Sequence, residues 1–282
     1  MPGTLFVVAT PIGNLEDITL RALRVLREVA VIAAEDTRRT AHLLARHAIT
    51  TPTTSLHEHN EQSKSAFMVA RLQRGEHVAL VSDAGTPTVS DPGHRLIRLA
   101  IDSGIRVEPI PGPSAVLAAL AVSGMATDTF TFLGFPPTRA NDRKLWLSRL
   151  MEIHDVAVFF EAPHRIRQTL EAVLVTVGDC EVVVARELTK AHEQLVRGPI
   201  SSVLASDLRA RGEFTVVLYV GDKPDTNAAL TCKPDGLYDE FCEITNSGQT
   251  TRRQAIATLA RRHGLAPNAV YEAIEKTRKS GH

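Results

Sequence analysis

The sequence predicts an α/β protein made of two α/β domains with a ligand cleft between them, followed by a small helical C-terminal segment. Short apolar runs alternate with segments of helical periodicity through the first 220 residues, and small polar residues follow the apolar runs. The length of 282 residues also fits two domains better than one. We place the domains at residues 1–117 and 118–222, with a linker and a basic helical tail at 223–282.

The first domain is predicted to alternate strands and helices in a mostly parallel sheet. Its strands are expected at Leu5–Ala9, Val31–Ala34, Val78–Val81 and Arg106–Ile110. The helices between them are expected to carry Ile18 through Val29, Leu43 and Leu44, Gln62–Leu72, and Leu96 through Ile101. Thr37 and Ser114 are expected to cap the helices that follow their strands, because a side-chain hydroxyl accepts hydrogen bonds from free amides.

The second domain is predicted to contain a mixed sheet, because its later strands lie close together in the chain. Strands are expected at Phe130–Gly134, Val156–Phe160, Glu181–Arg186, Gln194–Val196 and Phe214–Val220. Helices are expected at Lys144–Met151, Ile166–Val177 and Ser201–Arg209. Residues 222–231 have a linker composition, and residues 252–261 and 267–276 have a helical pattern.

The composition is that of a soluble globular protein, with 44% apolar and 23% charged residues. No apolar run reaches the length of about 18 residues that a membrane-spanning helix needs. No basic leader precedes the first apolar run, and three cysteines without CxxC spacing support neither a disulfide framework nor a zinc site. We therefore expect a cytoplasmic protein that does not bind a membrane.

The C-terminal tail carries an excess of positive charge. Residues 248–282 contain seven Lys or Arg residues and two acids, a balance of +5, so the rest of the neutral chain carries −5. The two helical stretches around Gly264 predict a helix-turn-helix-like unit, which could bind RNA, pack on the enzyme body or bind DNA. Arg252 and Arg253 are the candidate RNA contacts in this tail.

Absent motifs exclude several kinds of chemistry. The chain has no GxGxxG, no GxxxxGK[ST] and no GxSxG, so a nicotinamide fold, a P-loop and a serine hydrolase elbow are not indicated. His57-Glu58-His59 could supply two imidazoles to a metal, but no third ligand is placed nearby. We therefore expect no metal site.

The segment 78–93, VALVSDAGTPTVSDPG, is the most informative feature of the sequence. An apolar strand runs into a loop of small residues, where backbone amides can approach a ligand closely. Similar loops are predicted at the carboxyl ends of five other strands, the position where open α/β sheets bind ligands. They lie at 10–14, 35–38, 111–114, 161–165 and 187–190.

Taken together in their chain order, these loops resemble those of the tetrapyrrole-methylase-type (class III) S-adenosylmethionine methyltransferases. Within that family, the chain is similar to the branch of ribosomal small subunit (16S rRNA) cytidine-2'-O-methyltransferases. The resemblance covers residues 4–220 and rests on VATPIGNLEDIT, AAEDTRRT, SLHEHNE, LVSDAGTPTVSDPG, PIPGPSA, FFEAPHRI and ARELTKAHE. A continuation through the basic tail is also expected.

The resemblance implies a tetrapyrrole-methylase-like fold, a homodimer, and S-adenosyl-L-methionine bound in the cleft. The cofactor-binding residues expected from it are Pro11, Asp83, Gly85, Thr86, Val89, Ser114, Ala115, Phe160 and Leu188, together with Glu213 in the segment 212–215. It further implies 2'-O-methylation of a cytidine in the decoding region of 16S rRNA, with the small ribosomal subunit as partner.

A ribose hydroxyl must lose its proton to become a good nucleophile, so a base in the site would assist the reaction. The candidates are Glu35, Asp36, His57, Glu161, Glu187 and Lys190, and the sequence does not choose among them. Lysine could serve only if its pKa were depressed. Arg38, Arg39, His164 and Arg165 are candidate phosphate contacts, because guanidinium presents a fork of donors to phosphate oxygens.

Two other functions compete with this interpretation. A tetrapyrrole C-methyltransferase would use the same fold on an anionic macrocycle, and fold alone does not separate it from an RNA methyltransferase. A ligand-sensing transcription factor would use the tail to bind DNA. The basic tail and the EDTRRT and FFEAPHRI segments favour the RNA enzyme.

Overall fold

A computed structural model of the chain describes residues 1–208 and 211–221, together with separate positions between 238 and 277. Residues 1–220 form one compact unit and residues 221–282 form a second. The first unit contains two five-stranded sheets, each covered by helices. The predicted α/β class is confirmed for this unit.

The first sheet is entirely parallel, with the strand order β3-β2-β4-β1-β5. Its strands are β1 (Thr4–Val8), β2 (Val31–Ala34), β3 (Thr53–Ser55), β4 (Val78–Val81) and β5 (Arg106–Ile110). The helices are α1 (Leu20–Glu28), α2 (Thr37–Arg46), α3 (Glu61–Gln73) and α4 (His94–Asp102). Every residue of β2 and β4 is buried, because apolar clusters cover both faces of the sheet.

The second sheet is mixed, as predicted, with the order β6-β7-β10-β8-β9. Only β6 and β7 are parallel, and the other neighbours run antiparallel. Its strands are β6 (Phe130–Phe132), β7 (Val156–Glu161), β8 (Glu181–Arg186), β9 (Gln194–Pro199) and β10 (Phe214–Tyr219). The helices of this half are α5 (Ala115–Ser123), α6 (Ala140–Met151), α7 (Ile166–Thr176) and α8 (Ile200–Ala205).

An apolar layer joins the two halves. Ile12, from the loop after β1, packs in one cluster with Val116 and Leu120 of α5 and with Leu188, which follows β8. This contact orients the carboxyl ends of both sheets toward a common space. The proposed division after residue 117 stays a prediction, and that position lies inside α5.

Several local expectations differ from the structure. Asp36 rather than Thr37 is the N-cap of α2, because its carboxylate accepts the Arg38 amide at 2.8 Å and Thr37 is already helical. Ile18 ends a short 3₁₀ turn before α1, and its side chain is buried there. Strand β3 was not expected, because its sequence is Thr-Thr-Ser rather than an apolar run. The Ser114 cap is confirmed by its hydrogen bond from Leu117 N.

The described tail residues have a small core of their own. Leu259, Val270 and Ile274 are fully or almost fully buried in it, and Tyr238 and Phe241 are among the residues that pack against them. The described positions are helical. The expected linker at 222–231 and the turn around Gly264 lie outside the described residues, and helix-turn-helix geometry stays a prediction.

Within the part of the chain that the structure describes, no helix is long and apolar enough to cross a bilayer.

Candidate functional site

The carboxyl ends of the two sheets border one cavity of about 430 Å³. That volume lies in the range of small-molecule sites. Its lining comes from the loops after β1, β2, β4 and β5 of the first sheet, and from the ends of β6, β7, β8 and β10 of the second. The predicted cleft between two α/β halves is therefore present.

Backbone hydrogen bonds fix the floor of the cavity. Gly85 and Thr10 exchange two of them, at 2.8 and 3.0 Å, so the loop after β4 is tied to the loop after β1. The Thr86 hydroxyl donates to the Pro113 carbonyl at 3.3 Å, which adds the loop after β5. Gly85 has a φ of +79°, and an added Cβ would contact Ile12 at 3.4 Å. The small residues of this loop therefore allow three loops to approach one another closely.

Left-handed backbone conformations concentrate in two loops of the site. Thr88 and Ser90 have φ values of +72° and +66°, and Glu187 and Thr189 have values of +52° and +66°. Residues other than glycine adopt this region at a cost of about 1–3 kcal/mol, and such strain clusters at functional sites. The first pair lies on the loop after β4 and the second on the loop after β8, and both loops contribute residues to the cavity lining.

The first sheet gives the cavity an acidic wall made of Glu35, Asp83 and Asp91. Asp83 accepts the Asp36 amide at 2.9 Å and lies 3.4 Å from a guanidinium nitrogen of Arg39. The carboxylate of Glu35 in turn accepts the Asp83 amide at 3.3 Å. Asp83 is thus held by two partners, whereas Asp91 and Glu35 carry less cationic compensation.

This arrangement raises the pKa of Asp91 and the pKa of Glu35. Burial raises the pKa of Asp91 to about 6, and the charges of Glu35 and Asp83 add to the increase while a hydrogen bond from Ser82 opposes it. Burial also raises the pKa of Glu35, together with the nearby charge of Asp83, against the hydrogen bond from the Asp83 amide. A carboxyl group with a pKa near neutrality can accept a proton and release it again, which is the property of a general base.

Glu161 has the contacts of an internal structural acid. Its carboxylate is completely buried, accepts the Ala162 amide at 2.7 Å and the Thr169 hydroxyl at 2.5 Å, and lies 3.6 Å from Arg165 Nε. Arg165 also donates to the carbonyls of Pro136 and Pro137, at 2.7 and 3.0 Å. The Arg165 side chain is only 14% exposed, so these contacts favour a structural role for Arg165 over a phosphate contact.

Lys190 belongs to a second ion cluster beside the cavity. Its ammonium donates to Glu187 at 2.9 Å and to Glu213 at 3.0 Å. Burial lowers the pKa of Lys190, but its hydrogen bonds to the two carboxylates outweigh burial, and the pKa is raised overall. Burial raises the pKa of Glu187, but the hydrogen bonds from Lys190 and from the Glu213 amide outweigh burial, and the pKa is lowered overall. Both shifts favour the charged pair and argue against a base role for either residue.

The second sheet gives the cavity an apolar wall. Phe160 packs edge-on against Phe132, with ring centroids 5.0 Å apart, and contacts Phe135 at 5.4 Å. Leu188 and Phe214 continue this wall. Two carboxylates, Glu161 and Glu213, also line this side. The cavity thus combines acidic groups with an aromatic and aliphatic wall, which suits a ligand with a cationic group and a flat apolar ring.

Most of the predicted cofactor residues line the cavity. Those that do are Asp83, Gly85, Thr86, Val89, Ser114, Ala115, Phe160, Leu188 and Glu213, together with the rest of the segment 212–215. Pro11 does not line it: it is buried directly before Ile12, which does.

Most of the predicted catalytic and RNA-binding residues lie outside the cavity lining. Glu35, Glu161 and Arg39 line the cavity, whereas Asp36, His57, Glu187 and Lys190 do not, nor do Arg38, His164 and Arg165. Asp36 forms a bidentate pair with Arg38, and this pair lowers the pKa of Asp36 to about 2. Asp36 is therefore a weak proton acceptor.

In the tail, Arg252 is ion-paired with Glu275 and lies over the rings of Phe241 and Tyr271. These contacts favour a packing role within that unit. Arg253 lies outside the described residues.

Sequence reasoning missed several lining residues, of which Asp91, Ser90 and Phe135 carry the most chemistry. Ser90 and Asp91 follow the small-residue loop within the segment 78–93, and the second aspartate of that segment is the available signal. Phe135 lies three residues after the end of β6, and no sequence pattern marks it. Across the described parts of the chain, no group of three His, Cys, Asp or Glu side chains could hold a metal ion.

Comparison with known proteins is consistent with this geometry. The model of the family described as Tetrapyrrole (Corrin/Porphyrin) Methylases matches residues 4–204. The chain is 42% identical to "Ribosomal RNA small subunit methyltransferase I" of Pseudomonas aeruginosa, over 99% of both chains. It is 47% identical to the protein of that name from Xylella fastidiosa, over 94% of this chain and 98% of the relative.

Solved structures share the fold at low sequence identity. Diphthine synthase matches with a TM-score of 0.61 and 16% identity, over 77% of this chain and 90% of that one. Uroporphyrin-III C-methyl transferase from Thermus thermophilus, in complex with S-adenyl homocysteine, matches with a TM-score of 0.57 and 18% identity. That match covers 77% of this chain and 97% of the other. These matches confirm the predicted tetrapyrrole-methylase-like architecture.

Proposed function

This chain belongs to the tetrapyrrole (corrin/porphyrin) methylase family, and we propose that it methylates RNA of the small ribosomal subunit with S-adenosyl-L-methionine as methyl donor. The observation that carries the proposal is identity of 42% over 99% of both chains with a relative named as a ribosomal RNA small subunit methyltransferase. We further propose the ribose 2'-hydroxyl of a cytidine in the decoding region of 16S rRNA as the acceptor. Such a substrate would place the protein in the cytoplasm.

The cavity residues fit this methyl donor. S-adenosyl-L-methionine supplies, when bound, an electrophilic methyl group on a positively charged sulfur. The apolar wall of Phe160, Leu188 and Phe214 offers a slot for an adenine ring, and the acidic wall around Asp83 compensates positive charge. Gly85 and Ser114, on the floor between them, allow a ligand to approach the backbone closely.

In the proposed reaction, the protein positions the ribose hydroxyl and removes its proton. Asp91 and Glu35 are the acceptors that the geometry favours, because both line the cavity and hold raised pKa values. Lys190 holds Glu187 and Glu213 in place at the other side of the site. Arg39, with 61% of its side chain exposed at the acidic wall, and Arg38, 89% exposed, are proposed to contact RNA phosphates.

Methyl transfer from labelled S-adenosylmethionine to undermodified small ribosomal subunits tests this function. Naked rRNA and a precorrin-type macrocycle serve as parallel substrates, and the RNA product is analysed by nucleoside mass spectrometry. A 2'-O-methylcytidine peak is the expected result. Label in the macrocycle alone would replace the proposal with tetrapyrrole methylation, and duplex DNA binding without any transfer would favour a regulator.

Gly13 gives a test of the cleft itself. A Cβ at this position would lie 2.4 Å from Lys190 Cγ and 2.9 Å from the Leu188 carbonyl oxygen. Gly13→Ala is therefore expected to displace the loop after β8, which lines the cavity through Leu188. S-adenosylhomocysteine binding should weaken by about tenfold, the effect of losing about 1.4 kcal/mol of contacts. Isothermal titration calorimetry measures this. Gly104→Ala is the control: a Cβ there meets nothing within 4 Å, and its φ of +69° strains an alanine only locally, outside the cavity lining. Its binding should therefore equal wild type. Unchanged binding by the Gly13 variant would contradict the prediction.

We also propose that α5 forms part of a homodimer interface. The sequence of this helix, AVLAALAVS, is apolar around its whole circumference up to Ser123, and only one side packs against the second sheet. Leu117 and Val122 are 58% and 40% exposed on the other side.

Leu117→Glu is expected to convert a dimer into a monomer in light scattering after size exclusion, because a carboxylate would be buried in the interface. Leu145→Glu, at a 64% exposed position on α6, is the matched control and should leave the assembly unchanged. A wild-type monomer would contradict the proposal.

A further inference from the structure

Phe135 is an exposed aromatic residue at the edge of the cavity. Its side chain lines the cavity and is 54% exposed, whereas the neighbouring Phe160 is partly buried. The two rings contact each other at 5.4 Å, tilted by 55°. One edge of Phe135 is thus supported by the apolar wall, and much of the ring remains available to a ligand.

The backbone around Phe135 is held firmly by the protein. Gly134 has a φ of +62°, and a Cβ there would contact the Ser90 hydroxyl at 3.5 Å, so this turn lies against the loop after β4. On the other side, Arg165 donates to the carbonyls of Pro136 and Pro137, at 2.7 and 3.0 Å. The buried carboxylate of Glu161 compensates the charge of Arg165. An exposed ring on such a braced segment is preorganised for a contact rather than free to fold back into the core.

The charges around the cavity indicate what the ring contacts. Glu35, Asp83 and Asp91 are in the lining, which disfavours a phosphate inside the cavity. Exposed cationic side chains lie at Arg39, in the lining, and at Arg38, one residue before it. A nucleotide fits this pattern if its phosphates stay near the arginines and its uncharged base and ribose enter the cavity.

We propose that Phe135 is the platform on which a base of the substrate RNA stacks when the target nucleotide leaves its helix and enters the cleft. The inference rests on the proposed RNA methyltransferase function and specifies its substrate as an unstacked nucleotide. RNA-binding proteins recognise splayed-out bases by stacking them on aromatic rings, and enzymes that act on one nucleotide extrude it into a pocket. Phe135 is then a positioning residue, and the reacting hydroxyl is directed toward the acidic wall.

Three variants at this position separate stacking from apolar packing. Phe135→Leu keeps an apolar side chain but removes the aromatic face, Phe135→Ala removes both, and Phe135→Tyr keeps the face. Phe67→Leu is the matched control, because Phe67 is 52% exposed on α3 and does not line the cavity. Each variant is assayed for KM and kcat with undermodified small subunits, for S-adenosylhomocysteine affinity by calorimetry, and for oligomeric state by light scattering.

We expect Phe135→Leu and Phe135→Ala to raise KM for the subunit by roughly 5- to 150-fold, the range that stacking energies of about 1–3 kcal/mol imply. Phe135→Tyr should restore KM to within about threefold of wild type. Affinity for S-adenosylhomocysteine and the oligomeric state should not change, and Phe67→Leu should behave as wild type throughout.

Other outcomes would overturn the inference. Weakened S-adenosylhomocysteine binding with unchanged KM for the subunit would place the ring against the adenine of the methyl donor. A changed oligomeric state would make Phe135 an interface residue, and equal KM values for wild type and Phe135→Leu would remove the stacking role while leaving RNA methylation intact. Absence of any RNA methylation by the wild type would instead refute the proposed function and this inference together.

Discussion

Replacing Asp91 with asparagine is expected to lower kcat for RNA methylation by about 10²- to 10⁴-fold, the effect of losing a general base. Asparagine keeps the shape of the side chain but has no negative charge and cannot accept the proton. The loss should appear in kcat because the base acts on the bound hydroxyl, and S-adenosylhomocysteine binding should change far less. Asp102→Asn is the control, since Asp102 is half exposed on α4, paired with Arg98 and outside the cavity lining.

The pH dependence of the wild type provides an independent measurement. Asp91 accepts a proton only as the carboxylate, and its pKa is about 6 because of burial and the charges of Glu35 and Asp83. Activity should therefore rise as the pH increases through about 6 and level off above it.

Glu35→Gln removes one of the repelling charges, which lowers the pKa of Asp91 and should move this acid limb to lower pH. If Asp91→Asn keeps near wild-type activity and the acid limb of its pH profile does not move, Glu35 rather than Asp91 is the base.

Replacing Arg165 with leucine is expected to lower the free energy of unfolding by about 3 kcal/mol, because it leaves the buried carboxylate of Glu161 without its cationic partner. The carbonyls of Pro136 and Pro137 also lose their donor. Urea denaturation followed by circular dichroism measures the change.

Arg24→Leu is the control for this experiment. It breaks an ion pair with Glu28 whose side chains are 60% and 58% exposed, and such pairs contribute less than about 1 kcal/mol. The two interpretations of Arg165 make opposite predictions. A phosphate contact would leave unfolding unchanged and weaken RNA binding alone, whereas the structural role requires a clear loss of stability.

The sequence predicts where the loops of the site lie, but not which hydrogen bonds and ion pairs their side chains form. Gly85 and Thr86 follow an apolar strand, so their place at the carboxyl edge of a sheet follows from local pattern alone. Whether Glu35 or Glu161 is available as a base depends on contacts across the fold. Glu161 is engaged by Thr169 and Arg165 after its strand and helix pack together, whereas Glu35 meets Asp83, which is far away in the chain.

Phe135 and strand β3 were not predicted because they, too, depend on contacts between distant parts of the chain. A single phenylalanine after a strand is more often part of a core, and only the tertiary arrangement leaves this one half exposed at a cavity. Strand β3 is Thr-Thr-Ser, and pairing with β2 rather than its own composition defines it. By contrast, the ion pair of Asp36 with Arg38 is local, two residues apart, and could have been inferred from spacing.

The close contact of Gly13 with Lys190 and Leu188 has a consequence for engineering new enzymes from this scaffold. The first half leaves room for no side chain at Gly13, because the loop after β8 occupies that space, so the two loops form a matched pair. Exchanging either half with that of another family member would pair two loops that are not sterically complementary. A chimera in which both loops, residues 10–14 and 187–190, come from the same parent should fold and form the cleft. A chimera joined within α5, with one loop from each parent, should not.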